Sequence, residues 1–232
     1  MFLGGIVEFL ANYFLYFIIY AFLGWSMEVI CKLFEQKKFI NRGFLVGPIC
    51  PIYGYGVLAI VLVIGSIKGD ILAVFLKSIL VCSLLEYLTS YLMEKFFKAR
   101  WWDYSRRKFN LNGRICLETM IPFGLLGLFV IYVLHPIVTT FVLNITYNLK
   151  ITISIILLCL YIFDNIFSYV VLKNIKDEIV LNSKDNTEEI KTYIKTWLKN
   201  NSIFYRRVIT SYPNFLINIK HLNINKVRIK RK

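Results

Sequence analysis

The chain has 232 residues, 57% of them hydrophobic and 16% aromatic, with a mean hydropathy of +0.60. That composition excludes an ordinary soluble domain and describes a membrane protein with several crossings. A formal charge of +14 would suggest nucleic acid in a soluble chain. No nucleic-acid signature accompanies it here, so no such partner is expected and the placement of the charges carries the information.

A helix crossing hydrocarbon needs about 20 mainly apolar residues. Five segments meet or approach this length, near 7–31, 52–67, 71–95, 115–137 and 150–172. The fold class expected is therefore all-α: a polytopic membrane bundle over residues 1–172, followed by a basic tail over 173–232. The start lacks a basic region and a small-residue cleavage site, so the first apolar run is expected to remain as a signal anchor.

Between the first two segments lies Asn41-Arg42-Gly43-Phe44-Leu45-Val46-Gly47-Pro48-Ile49-Cys50-Pro51-Ile52-Tyr53-Gly54-Tyr55-Gly56. Gly43, Gly47, Pro48, Pro51 and Gly54 argue against a plain helix. The stretch is nevertheless apolar, at Phe44, Leu45, Val46, Ile49 and Ile52. Irregular apolar backbone at a membrane boundary is tolerated where it packs on protein or lines a wet cavity, so a re-entrant loop forming the wall of a site is expected.

Orientation follows the basic residues. Lys32, Lys37, Lys38 and Arg42 fall in the 32–50 connection, and Lys98, Arg100, Arg106, Arg107, Lys108 and Arg114 in the 96–114 connection. Fourteen of the 28 Lys and Arg lie beyond Leu172, whereas the 138–149 connection has none. The positive-inside rule then places loops and tail in the cytoplasm and the N-terminus outside. Trp101-Trp102-Asp103-Tyr104-Ser105 reads by default as a headgroup-level anchor. His135-Pro136 is expected to end the fourth span outside, its lone imidazole structural.

The two basic connections look alike. Met27-Glu28 leads to Asn41-Arg42-Gly43, and Met93-Glu94 leads to Asn112-Gly113-Arg114-Ile115-Cys116, with Pro48 and Pro122 beyond. This is either a parallel repeat about an axis normal to the membrane or chance similarity between basic loops. In the tail, Ile190, Tyr193, Ile194, Trp197 and Leu198 recur at helical spacing. They predict an amphipathic interfacial helix over 187–199, with a polybasic end at 226–232 drawn to anionic lipid.

Carboxylates near the membrane interior are the sharpest chemical signal, since each costs about 2.5–3.5 kcal/mol at mid-helix. Ser83, Glu86, Ser90 and Glu94 recur every three or four residues and form one stripe expected to face the bundle interior. Glu28 ends the first helix, and Asp164 lies within the fifth. Such acids either line a path for a small polar or charged solute or only hold helices together. Arg42 is expected either to hold Glu28 across its hairpin or to offer charge to an anion. Arg114 and Glu118, four apart, are expected to pair on the fourth helix. Asp103 reads either as an organiser of nearby cations or as a polar site residue.

Cys31, Cys50, Cys82, Cys116 and Cys159 form no Cys-x-x-Cys pair. Neither a disulfide framework nor a metal or cofactor site is expected. No catalytic signature and no phosphate-binding loop appears, so the chain is not expected to be an enzyme or to hydrolyse ATP by itself.

The same residues resemble a bacterial family labelled "putative ABC-transporter type IV". They are Gly24-Trp25 with Glu28, the Asn41–Gly54 loop, Leu85-Glu86-Tyr87, Glu94, Trp102-Asp103-Tyr104-Ser105 and Asn112-Gly113-Arg114-Ile115-Cys116-Leu117, over about 13–137. The resemblance implies an integral cell-membrane protein and groups the loop and the acids into one pattern. Glu28, Asn41, Arg42, Glu86, Ser90, Glu94, Asp103, Asn112 and Arg114 are accordingly the candidate residues of a ligand site or transport path. If the label holds, a separate ATP-hydrolysing subunit docks on the cytoplasmic loops. Five spans are few for a lone transporter, so a homo-oligomer or larger complex is expected. The function expected is a permease-like protein for a small polar or charged solute. Alternatives are an accessory scaffold, or an enzyme acting on lipid-linked substrates through Glu94, Asp103 or Cys50.

Overall fold

A computed structural model gives the architecture and describes residues 2–64, 70–97, 100–182, 196 and 203–211. Helices dominate: α1 (Phe2–Gln36), α2 (Pro51–Ile64), α3 (Ile71–Phe97), α4 (Leu117–Phe129), α5 (His135–Leu143), α6 (Tyr147–Asn182) and a short α7 (Ile203–Ser211). A five-residue π-helical turn, Val130–Leu134, joins α4 to α5 into one rod. The only strands among the described residues are the two-residue pair β1 (Asn110–Leu111) and β2 (Ile115–Cys116), antiparallel, with Leu111 opposite Ile115.

The chain is thus an all-α membrane bundle. Four helical rods are long and apolar enough to cross a bilayer: Leu3–Gln36, Ile71–Phe97, Leu117–Leu143 and Tyr147–Ile175. The segment read near 52–67 corresponds to α2, whose 14 residues rise only about 21 Å at 1.5 Å each. The amphipathic helix read over 187–199 and the polybasic end lie outside the described residues.

Local chemistry sets the boundaries. Lys37 stops α1 by adopting φ +52°, and its N–H returns to the Leu33 carbonyl at 2.9 Å, a left-handed cap. Asp70 starts α3 by accepting the Ala73 N–H at 3.1 Å. Pro51 occupies the first position of α2, where its missing N–H costs nothing. The irregular segment therefore ends at Cys50, and Gly54, expected in the loop, is helical.

The fourth rod corrects a second expectation, because it does not end at His135-Pro136. At the π turn the His135 N–H reaches back five residues to the Val130 carbonyl, and this wider ring admits Pro136 without breaking the rod. His135 then faces α1, its Nδ1 2.7 Å from the Tyr20 hydroxyl.

Lipid tails are as apolar as leucine, so close backbone approach and polar contacts decide helix pairing in a membrane. Small residues provide that approach twice. At the α1–α2 crossing a Cβ on Gly24 would lie 2.2 Å from the Tyr53 ring, and one on Gly54 2.7 Å from the Phe17 carbonyl oxygen. At the α3–α4 crossing a Cβ on Gly127 would lie 2.0 Å from Ser78 Oγ. Buried side chains fill the remainder, with Leu15, Tyr16 and Tyr20 against Val138 and Val142, and Ile60 and Ile64 against Val74 and Ile131.

Replacing Gly54 by Ala drives a methyl into α1 backbone and is expected to destabilise the bundle by about 1–3 kcal/mol. Gly5→Ala, with nothing within 4 Å, should be neutral or mildly stabilising. Thermal unfolding of both variants in one detergent tests the contrast.

Candidate functional site

One end of the bundle carries the α1–α2 loop, the α3–α4 connection and α7. The backbone from Asn41 to Cys50 has no helix or strand to satisfy its polar groups, so side chains supply partners. Asp164 of α6 accepts the N–H groups of Val46 at 3.0 Å and Gly47 at 2.9 Å, and Ser168 one turn on contacts the same Val46 N–H at 3.0 Å. The Asn41 side chain spans the loop, accepting from the Trp25 indole at 2.7 Å and donating to the Val46 carbonyl at 2.7 Å. Gly43 takes φ +107°, which a side chain rarely tolerates. From the other side, Arg207 of α7 donates to the carbonyls of Leu45 and Phe44. Ser211 donates to the Asn41 carbonyl, and Arg42 donates to the Ser211 carbonyl at 2.6 Å.

Held in this way, the loop walls a cavity of about 610 Å³ that runs from both connections into the bundle as far as Tyr20, Ile60 and Leu134. The volume suits a small organic ligand. Glu28, Arg42 and Glu86 all line it. Glu28 accepts the Tyr53 hydroxyl at 2.7 Å and lies 3.4 Å from Arg42 Nε, so the cross-hairpin pairing of Arg42 is the one realised. Glu86 is only 8% exposed. Its Oε1 accepts the Tyr104 hydroxyl at 3.1 Å, whereas its Oε2 is buried with no hydrogen-bond partner. Burial and the neighbouring Glu86 raise the Tyr104 pKa, which keeps this phenol a donor.

The stripe on α3 does face inward: Ser83, Glu86 and Ser90 are all buried. Its last member belongs to a different cluster. Glu94 Oε2 accepts from Arg100 at 2.9 Å and Arg114 at 2.8 Å, and Arg100 also approaches Asp103 at 3.7 Å. Asn112 joins through its side chain to the Tyr87 hydroxyl at 2.9 Å and through its carbonyl to Arg100 at 3.2 Å. Two acids and two arginines neutralise one another here, and this knot fastens the α3–α4 connection to the end of α3.

The predicted Arg114–Glu118 pair does not form. Ile115 and Cys116 are extended, so the two residues share no helix and Arg114 turns back to Glu94. Glu118 pairs instead with Arg107 at 2.8 Å on the surface. The extended stretch has a local signal, since Asn112 (φ +54°) and Gly113 (φ +69°) form a tight turn in which the Arg114 N–H bonds the Leu111 carbonyl at 3.0 Å. Asn-Gly between apolar residues is the strongest short hairpin sign.

The candidates thus divide. Glu28, Arg42 and Glu86 meet in the cavity. Glu94, Asp103, Asn112 and Arg114 meet in the knot, and Asn41, Gly43 and Gly47 shape the loop. Tyr53 and Tyr104 had not been singled out as site residues, nor had Asp164 as the anchor of the loop. Trp101 and Trp102, read by default as a headgroup-level anchor, line the cavity, and the Trp102 indole donates to the Arg114 carbonyl at 3.0 Å.

Fold and site together define a multi-pass helical membrane protein with an internal cavity bearing buried acids. The pattern of the family described as "Putative ABC-transporter type IV" matches residues 15–169. The chain belongs to that family, and the match runs beyond residue 137, through most of α6, to include Asp164. A search of curated proteins and one of solved structures found no match.

Burial, followed by the charge of Glu28, pushes the Cys50 thiol up to about 12, leaving about one part in 10⁴ as thiolate at pH 8. Alkylation of Cys50 by N-ethylmaleimide, followed by peptide mass spectrometry, therefore reports loop opening. Asp164→Ala removes the acceptor of two backbone N–H groups and is expected to speed that alkylation about tenfold or more. An unchanged rate would mean that the loop is held without Asp164.

Proposed function

We propose that this protein is a permease-like membrane component whose internal cavity binds and passes a small polar or charged solute, with no bond-breaking chemistry of its own. The observation that carries the reading is Glu86. A carboxylate oxygen buried beside a sizeable cavity without a partner is costly in a membrane helix, and a solute that supplies the missing contact explains its retention. Family membership supports the transporter class.

Glu94 and Asp103 fit a catalytic role less well, because both are committed to arginines away from the cavity. A Cys50 thiol at about 12 is a poor nucleophile at neutral pH.

The charge pattern and the family support the finer features of this reading. The membrane is a bacterial inner membrane, with the N-terminus outside and the loops and basic tail in the cytoplasm, where the tail meets anionic lipid; this orientation counts α2 as a fifth crossing. Energy comes from a separate ATP-hydrolysing subunit docked on the two basic connections. The working unit is a homo-oligomer or a larger complex.

The test compares small-molecule pools in cells expressing wild-type protein, Glu86→Gln or Arg42→Ala, with membrane levels of each variant matched. At least one solute should shift with wild type and return to the empty-vector level in Glu86→Gln. Arg42→Ala should weaken the shift several-fold through loss of the Glu28 pairing. Equal pools in all strains at equal protein levels would favour a scaffold.

A further inference from the structure

Charge bookkeeping inside the cavity says more about the ligand. Resting on the assignment of this cavity as a solute site, we infer that its ligand is an organic cation with an apolar body, its charge placed at Glu86. Three acids and one base carry charge into the lining: Glu28, Glu86, Glu118 and Arg42. Arg42 answers Glu28, and Glu118 is answered by Arg107. Glu86 makes no ion pair among the described residues; its one hydrogen bond is the neutral Tyr104 hydroxyl, and Oε2 is unmatched. One carboxyl group is left without a counter-ion, on a side chain more than nine-tenths buried.

The rest of the wall selects among cations. Most of the lining is aliphatic or aromatic, from Leu23 and Val57 to Phe123 and Leu126. A bare Ca²⁺ or Mg²⁺ demands six or more oxygens, which such a wall does not offer. A polyol would leave its hydroxyls unmatched against the same surface. An anion would meet an arginine already held by Glu28 and by the Ser211 carbonyl. An organic cation loses least, since its body packs on the apolar wall and its charge meets Glu86. Trp101, Trp102 and Tyr104 line the same cavity, and aromatic rings are favourable neighbours of such ions.

Two ions of nearly equal size and opposite charge make the test, tetraphenylphosphonium and tetraphenylborate. Calorimetric titration of the full-length protein in a non-ionic detergent, with protein-free micelles as blank, measures both. Wild type should bind the phosphonium at least tenfold more tightly than the borate, and Glu86→Gln should abolish that preference. Gln keeps the volume and can still accept the Tyr104 hydrogen bond. The wild-type comparison stands even if the variant fails to fold. Equal binding of both ions, as a protonated Glu86 would give, overturns the inference, as does a preference that survives Glu86→Gln. A Glu86-dependent cation preference without any shift of cellular solutes would uphold the ligand class while removing the permease. Solute shifts confined to anions would do the reverse.

Discussion

The contact on which the site depends is that of the Asp164 carboxylate with the Val46 and Gly47 N–H groups. Backbone that is neither helix nor closed sheet is tolerated in a membrane bundle only when its polar groups find partners in the protein. Residues 41–50 have little regular structure to supply them. With both carboxylate oxygens committed to two successive amides and Ser168 beneath, α6 becomes the surface on which the loop is moulded. Gly47 leaves room for this contact, for a Cβ there would lie 2.7 Å from Asp164 Oδ2. Arg42, Gly43 and Cys50 stand in the cavity wall because the segment between them is pinned from behind. The grip of α7 through Arg207 and Ser211 completes the clamp and ties the tail to the same ten residues.

Much of this was legible. Runs of about 20 apolar residues announce membrane helices without regard to tertiary contacts, because the surrounding solvent is uniform and apolar. The three-to-four spacing of Ser83, Glu86 and Ser90 is a property of one helix, and it gave the buried face. What escaped was set by distance along the chain or by a local break. The Asp164 contact spans 117 residues, and no periodicity within α6 singles out one carboxylate as a loop anchor. Arg114 pairs with Glu118 at helical spacing only if the helix begins at residue 115, whereas α4 begins at Leu117. Two extended residues suffice to send the side chain to Glu94, 20 positions back. The rod through His135-Pro136 was cut short for a related reason, since a π turn that accommodates proline leaves no compositional trace.

The resemblance between the two hairpins has a structural counterpart. In each, a glutamate near the end of the first helix is held by an arginine from the following connection, Glu28 by Arg42 and Glu94 by Arg114. An asparagine within two residues of that arginine, Asn41 or Asn112, helps fix the connection through its side chain. In each connection a glycine with positive φ, Gly43 or Gly113, lies next to that arginine. The environments nevertheless differ. The first pair borders the cavity. The second is enclosed with Arg100 and Asp103 in a neutral knot.

That difference isolates Glu86. If acids in this bundle served only to join helices, each would be expected to meet a base, as Glu28, Glu94 and Glu118 do, or a full set of donors, as Asp164 does. Burying a charge without either costs several kcal/mol, and an apolar residue of similar volume would pack at no such penalty. Glu86 sits instead where a cavity meets Tyr104, with one oxygen held and the other unmatched. The uncompensated group and the empty volume are adjacent, and a single ligand that fills one while answering the other removes the penalty.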